Sequence, residues 1–117
     1  MIFIGYKKCS TCKKAEEYLK EMNLEYTYRH IKEDNPTKEE LKNFLLKSNL
    51  PIKRFFNTSG QVYRDLNLKD KLPNLSLDEK LSLLATNGML CKRPILVTDN
   101  NVLVGFKIKE WDLIFKG

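Results

Sequence analysis

Residues 1–31 read MIFIGYKKCSTCKKAEEYLKEMNLEYTYRHI, and this stretch decides the fold. Ile2 to Tyr6 is a short apolar run of strand length. From about Thr11 to Met22 a helix is expected, because Ala15, Tyr18, Leu19 and Met22 recur on one face at helical spacing. Tyr26-Thr27-Tyr28-Arg29-His30-Ile31 is β-branched and aromatic, and reads as a second strand. A β-α-β unit of this length makes the two strands parallel, joined by a right-handed crossover. Cys9 and Cys12 fall at the first strand–helix junction. Half of a metal site, a redox pair and two buried small residues are the three readings of that pair.

Working outward, the remaining elements extend the same sheet. Asn35-Pro36-Thr37 leads into a helix, with Thr37 and Glu40 spaced as a capping box ahead of Leu41, Phe44 and Leu45. It should end near Ser48-Asn49. From Pro51 to Leu72, Phe55, Phe56, Val62, Tyr63 and Leu66 suggest short helical turns broken by Thr58-Ser59-Gly60. Ser76 and Glu79 form a second capping box, before a helix that Asn87-Gly88 should stop. Arg93 to Thr98 and Val102 to Phe106 flank Asp99-Asn100-Asn101 and predict an antiparallel hairpin. Lys109 to Phe115 reads as a closing helix. The order β-α-β, a helical middle, then β-β-α fits an α/β thioredoxin-like fold. Its four-stranded mixed sheet is flanked by helices and carries a helical insertion over about 36–88. One domain over residues 1–117 is expected from the length.

The net charge of +6 is compatible with an acidic partner. The lysines, however, are interspersed with acids, as in Lys38-Glu39-Glu40 and Lys69-Asp70-Lys71, which describes a solvated surface. With no DNA-binding motif, no direct nucleic-acid binding is expected. An anionic small substrate at a local positive site stays open. The longest apolar runs are strand-sized, so no membrane span is expected. Lys7-Lys8 follow the apolar N-terminal residues, the reverse of a signal peptide, and a cytoplasmic protein is expected.

Zinc needs four ligands, and beyond the pair only Cys91 and His30 are available as soft donors, neither with a partner at ligand spacing. Metal binding is therefore the weakest of the three readings. A free cysteine is usually a small buried hydrophobe. Here the position argues otherwise, because amide groups and the helix dipole at a helix N-terminus favour a thiolate. Lys7, Lys8, Lys13 and Lys14 add positive charge in the sequence nearby. Cys9, just ahead of the helix, is then the attacking thiolate and Cys12 the resolving partner. Pro94 opens the third predicted strand; in a thioredoxin-like fold that proline is typically cis and faces the cysteine pair. Arg93 would then lie close to Cys9, able to stabilise its thiolate or to bind an oxyanion. Cys91, two residues earlier, reads as a packed core cysteine, and Tyr63 and Trp111 as core or rim aromatics.

CSTCKKAEEYL, NPTKEELKNFL, FFNTSGQVYRDL and CKRPILV, in this order, resemble the arsenate reductase (ArsC) family, which also contains Spx/MgsR-type regulators that bind RNA polymerase. The resemblance runs over essentially the whole chain. It implies Cys9 as nucleophile, Cys12 as the second redox cysteine and Arg93 as the arginine of the RPI motif, with Ser10, Thr11 and Pro94 beside the substrate. It implies a small oxyanion or disulfide substrate, no bound cofactor, and an external reductant such as glutathione with glutaredoxin, or thioredoxin. A monomer is expected. The alternative it carries is a redox-sensing regulator that binds RNA polymerase. One departure is plain: arsenate-reducing members carry a basic residue in the segment FFNTS, where this chain has Asn57, with Arg54 one helical turn away.

Overall fold

The computed structural model describes residues 1–117. Its sheet has the strand order β2-β1-β3-β4, with β1 Ile2–Gly5, β2 Thr27–His30, β3 Ile95–Val97 and β4 Val102–Val104. β1 runs parallel to β2 and antiparallel to β3, and β3 and β4 form an antiparallel hairpin. The mixed thioredoxin-like sheet expected from the element order is therefore present.

The period-two alternation of the strands sorts their side chains onto two faces. Phe3 pairs in register with Leu96, and Leu96 with Leu103. These three pack with Cys12, Ala15, Tyr18 and Leu19 of α1 (Ser10–Glu21) and with Trp111 of α6 (Ile108–Phe115). Ile4 pairs with Ile95, and Ile95 with Val104, on the opposite face. There they meet the helical segment between β2 and β3: α2 Lys38–Ser48, α3 Gln61–Asp65, α4 Leu68–Lys71 and α5 Leu77–Leu84. Each fully buried Leu, Ile or Phe contributes about 1.5–3 kcal/mol to holding these layers.

Both capping boxes form. The Thr37 hydroxyl accepts from the Glu40 N–H, and the Glu40 carboxylate accepts from the Thr37 N–H. Ser76 and Glu79 do the same for α5. Asn49, in the left-handed conformation at φ 57°, ends α2 where the sequence predicted. Between α2 and α3 the chain takes a 3-10 turn, Ile52–Phe55. Gly88 opens another such turn against the end of β2, where a side chain would strike the Ile31 carbonyl. Two contacts bind the α1 face together: the Tyr18 hydroxyl donates to Asp112 of α6 at 2.7 Å, and the Trp111 indole donates to the Gly105 carbonyl at 3.0 Å.

Candidate active site

The loop Tyr6–Lys8 carries the chain from β1 to α1, and Cys9 is the N-cap residue, extended at φ −90° and ψ 118°. Its N–H donates to the Tyr6 carbonyl at 3.0 Å, which fixes the turn. The Cys9 sulfur takes the place of a capping hydroxyl and accepts from the Cys12 N–H at 3.4 Å. The first turn of α1 contains no acidic residue. A negative charge on this sulfur therefore faces open amides and the positive end of the helix dipole.

Burial pushes the Cys9 thiol up, but the donors around it prevail and hold it below the usual 9.0. These are the Cys12 amide and thiol, the Arg93 guanidinium and the Thr11 amide. Cys12 is 1% exposed, one turn into the core. Burial drives its thiol up to about 12; a backbone hydrogen bond from Tyr6 opposes that rise, and the hydrogen bond and charge of Cys9 add to it. The two sulfurs are thus differentiated: one half-exposed and acidic, one buried and neutral, both free thiols.

Arg93 is half-buried, joined to Pro94 by a cis peptide bond. Its guanidinium lies over the Tyr6 ring at 5.3 Å and donates to the Cys91 carbonyl at 3.4 Å, while its Nε is buried with no partner. Pro94 is buried, and its carbonyl accepts from the Gly105 N–H at 2.8 Å. Ser10 is exposed and Thr11 half-buried in the first turn of α1. A groove of about 410 Å³, lined by Tyr6, Lys7, Lys8, His30, Lys32 and Glu33, opens beside the loop that leads into Cys9.

One element of the electrostatics differs from the sequence reading. Among the main causes that lower the Cys9 thiol the charged side chain is Arg93, brought in from the far end of the sequence, and not one of the neighbouring lysines. Lys8, Lys13 and Lys14 are exposed, and Lys7 places its ammonium 3.7 Å from the centre of the Tyr28 ring. Arg54 is held elsewhere, by Glu110 of α6 at 3.1 Å and the Val104 carbonyl at 3.4 Å. Asn57 is fixed in the turn before α3, with its N–H donating to Leu90 at 2.7 Å and its side-chain oxygen accepting from Ser59.

Cys91 belongs to the opposite core, 0% exposed, with its thiol toward the Leu84 carbonyl at 3.7 Å and pushed up to about 12 by burial. It is the packed core cysteine the sequence suggested. No group of three or more His, Cys, Asp or Glu side chains is placed to hold a metal ion, and no helix is long and apolar enough to cross a membrane. A cavity of about 190 Å³ between Ile52, Phe56, Tyr63 and Leu72 lies in the helical segment, and none of the three cysteines lines it.

The sequence reading missed Tyr28. Its ring packs against Phe3 at 5.3 Å on the α1 face, and its hydroxyl is buried without a partner. Burial raises its pKa above the ordinary tyrosine range, and the charges of Cys12, Glu16, Cys9 and Tyr26 act in the same direction. Only the register Phe3↔Tyr28 would have located it.

The ArsC family model matches residues 4–114. The Bacillus subtilis protein YusI, itself uncharacterized, is 50% identical over 96% of this chain and 95% of its own length. The regulatory protein MgsR of the same organism is 32% identical over 94% of this chain and 86% of its own. Among solved structures, an ArsC family related protein from Bacteroides fragilis superposes with a TM-score of 0.94 at 55% identity, covering 97% of this chain and 95% of that one. A possible arsenate reductase from Streptococcus mutans gives a TM-score of 0.88 at 46% identity, covering 97% of each.

Proposed function

The chain belongs to the ArsC family, and from that premise we propose a thiol–disulfide oxidoreductase in which Cys9 is the nucleophile and Cys9 and Cys12 close a reversible disulfide. The observation that carries this reading is Cys9 as N-cap of α1, its sulfur taking the Cys12 amide and its thiol held below the usual 9.0. A thiolate at neutral pH is the attacking species in disulfide exchange. Cys9 attacks the oxidised sulfur of the substrate, a thiolate leaves, and a mixed disulfide forms on Cys9. Cys12 then attacks Cys9 and releases the second thiolate. An external thiol, glutathione with glutaredoxin or thioredoxin, returns both cysteines to the reduced state.

Arg93 serves two purposes in this scheme. Its charge favours the Cys9 thiolate, and its donor fork suits an oxyanion such as arsenate. The buried Nε without a partner supports that second use. Ser10 and Thr11, in the first turn of α1, and Pro94 form the substrate-binding rim. The reducing cytoplasm, where such a disulfide is transient, is the proposed setting, with the chain acting as a monomer. The test is turnover of arsenate and of a model disulfide with each reductant in turn. Turnover that disappears in Cys9→Ser is the expected result; a full rate in that variant contradicts the reading.

A second reading is favoured by the 32% identity to the regulatory protein MgsR over nearly the whole chain. In it the same disulfide alters a surface that binds RNA polymerase. Capture of polymerase subunits that changes with the redox state of the protein would support it. No capture in either state removes it.

A further inference from the structure

We propose that the Tyr28 hydroxyl is the hydrogen-bond donor that stabilises the Cys12 thiolate while the Cys9–Cys12 disulfide closes. The inference rests on the redox reading above and adds to it a residue outside the CxxC and RPI segments.

The difficulty of the closing step is local to Cys12. This sulfur is 1% exposed, and burial drives its thiol up to about 12. As an attacking group it must carry negative charge in a place where charge is poorly solvated. When Cys9 is tied up in a mixed disulfide, its own negative charge is gone and no longer opposes that ionisation. Burial remains, opposed by a backbone hydrogen bond from Tyr6 and by the charge of Arg93. A second donor would shorten the remaining gap.

Tyr28 packs against the core cluster that contains Cys12 and brings to it a buried donor that nothing else uses. It pairs with Phe3 in the sheet, and its ring stacks against Phe3 in the same core as Cys12. The hydroxyl reaches over Gly5, the residue before Tyr6. A Cβ on Gly5 would come within 2.9 Å of the hydroxyl and 2.6 Å of the Phe3 ring, so the bare glycine makes the notch in which the oxygen lies. There it is buried and has no hydrogen-bond partner. A buried hydroxyl of this kind costs free energy that an apolar phenylalanine would avoid. The Lys7 ammonium, 3.7 Å from the ring centre, draws charge from the ring and strengthens the O–H as a donor. Burial and the charge of Cys12 both keep the phenol protonated, so it donates a hydrogen bond and does not act as a base.

The step balances as follows. Cys12 gives its proton to solvent and attacks the Cys9 sulfur. The Cys9–substrate S–S bond breaks, the Cys9–Cys12 bond forms, and the departing thiolate takes up a proton. In this step the Cys12 sulfur is oxidised and the substrate sulfur reduced, the Cys9 sulfur stays at the disulfide level it reached in the first attack, and Tyr28 keeps its proton throughout. The titratable and charged groups that face this pair are Cys9 at the cap of α1, Glu16 of α1, Lys7 of the preceding loop, Tyr26 just before β2, His30 of β2, and Arg93. A pH profile of closure is therefore read as a difference between variants that leave all six in place.

The test uses the whole reduced protein and Ellman's reagent, which places a thionitrobenzoate on Cys9. Attack by Cys12 releases a second, coloured thiolate, and its rate is the closing rate. In Tyr28→Phe the ring, its stack and the lysine contact remain, and only the unpartnered oxygen is lost, so the fold is retained. The expected result is a closing rate lower by about tenfold at neutral pH, with the pH profile displaced upward by about one unit. The first release, at Cys9, stays unchanged. An unchanged second release overturns the proposal, and so does a slower one with the same pH midpoint, which would mark a structural disturbance only. As a second measurement, Cys12 is titrated by thiolate absorbance in Cys9→Ser with Tyr or Phe at position 28. An equal midpoint in the two proteins likewise overturns it. Failure of the wild type to give any second release strikes the redox reading itself, so the two failures are told apart.

Discussion

Three helix N-termini of this molecule are built on one plan and put to different uses. At α2 and α5 a hydroxyl and a glutamate close the box, Thr37 with Glu40 and Ser76 with Glu79, and the glutamate sets a negative charge against the helix end. At α1 the capping atom is the sulfur of Cys9, the first turn holds no acid, and Arg93 stands near in place of a glutamate. The geometry of the cap is similar in all three. What differs is the charge offered to the capping atom: closed boxes neutralise the helix end from within, whereas the open one leaves its field for a thiolate.

The comparison breaks most completely at Cys9. Cys9→Ser should abolish second-thiolate release and all turnover. The same change should leave α1 as stable or more so, by on the order of 0.5 kcal/mol, since a hydroxyl is a better cap than a thiol. Urea unfolding beside the thiol assay separates the two effects. Next in size is Arg93→Ala. The guanidinium lowers the Cys9 pKa, so its loss raises that pKa and reduces alkylation at neutral pH severalfold. Alkylation followed against pH checks this, and an unmoved midpoint would return the role to the helix end alone.

The closed boxes give the smaller effects. Thr37→Ala and Ser76→Ala should each cost about 1 kcal/mol in urea unfolding and leave Cys9 reactivity as it was. Last comes the acid limb of stability. The Arg29 guanidinium, bidentate at 2.7 and 2.9 Å, is the main cause that holds Glu40 at about 2, against a usual 4.5. A depressed carboxylate stabilises above the higher value and is lost as pH falls toward the lower one. The stability curve should therefore decline between those two pH values, and Glu40→Gln should flatten that decline. The effect is small because the carboxylate is 37% exposed.

Local chemistry was legible in the sequence wherever a few neighbouring residues decide the outcome. The capping boxes, the β-α-β unit around Cys9 and the end of α2 near Asn49 all follow from spacing within one turn or one strand. The α1 junction predicted a favoured thiolate at Cys9, and the lowered thiol is there. Contacts that close over a long separation were not legible in the same way. Lys8, Lys13 and Lys14 are exposed and Lys7 lies over the Tyr28 ring, while Arg93 is brought in by the order β2-β1-β3. Arg54 finds Glu110 across the sheet, which the sequence does not specify. Tyr28 reads simply as a strand aromatic until its register with Phe3 puts the hydroxyl over Gly5. Between Pro51 and Leu72 the short turns are set by burial of Phe55, Phe56 and Tyr63, and hydrophobic periodicity is weak over such short pieces.

The most direct measurement is alkylation of the three free cysteines as a function of pH, with each site resolved by mass spectrometry. Cys9 should react first, with a midpoint below that of a free thiol, while Cys12 and Cys91 stay unreactive through neutrality because burial holds both at about 12. A Cys9 midpoint at or above that of a free thiol, or equal reactivity of Cys9 and Cys91, would contradict the view that the open end of α1 makes the nucleophile.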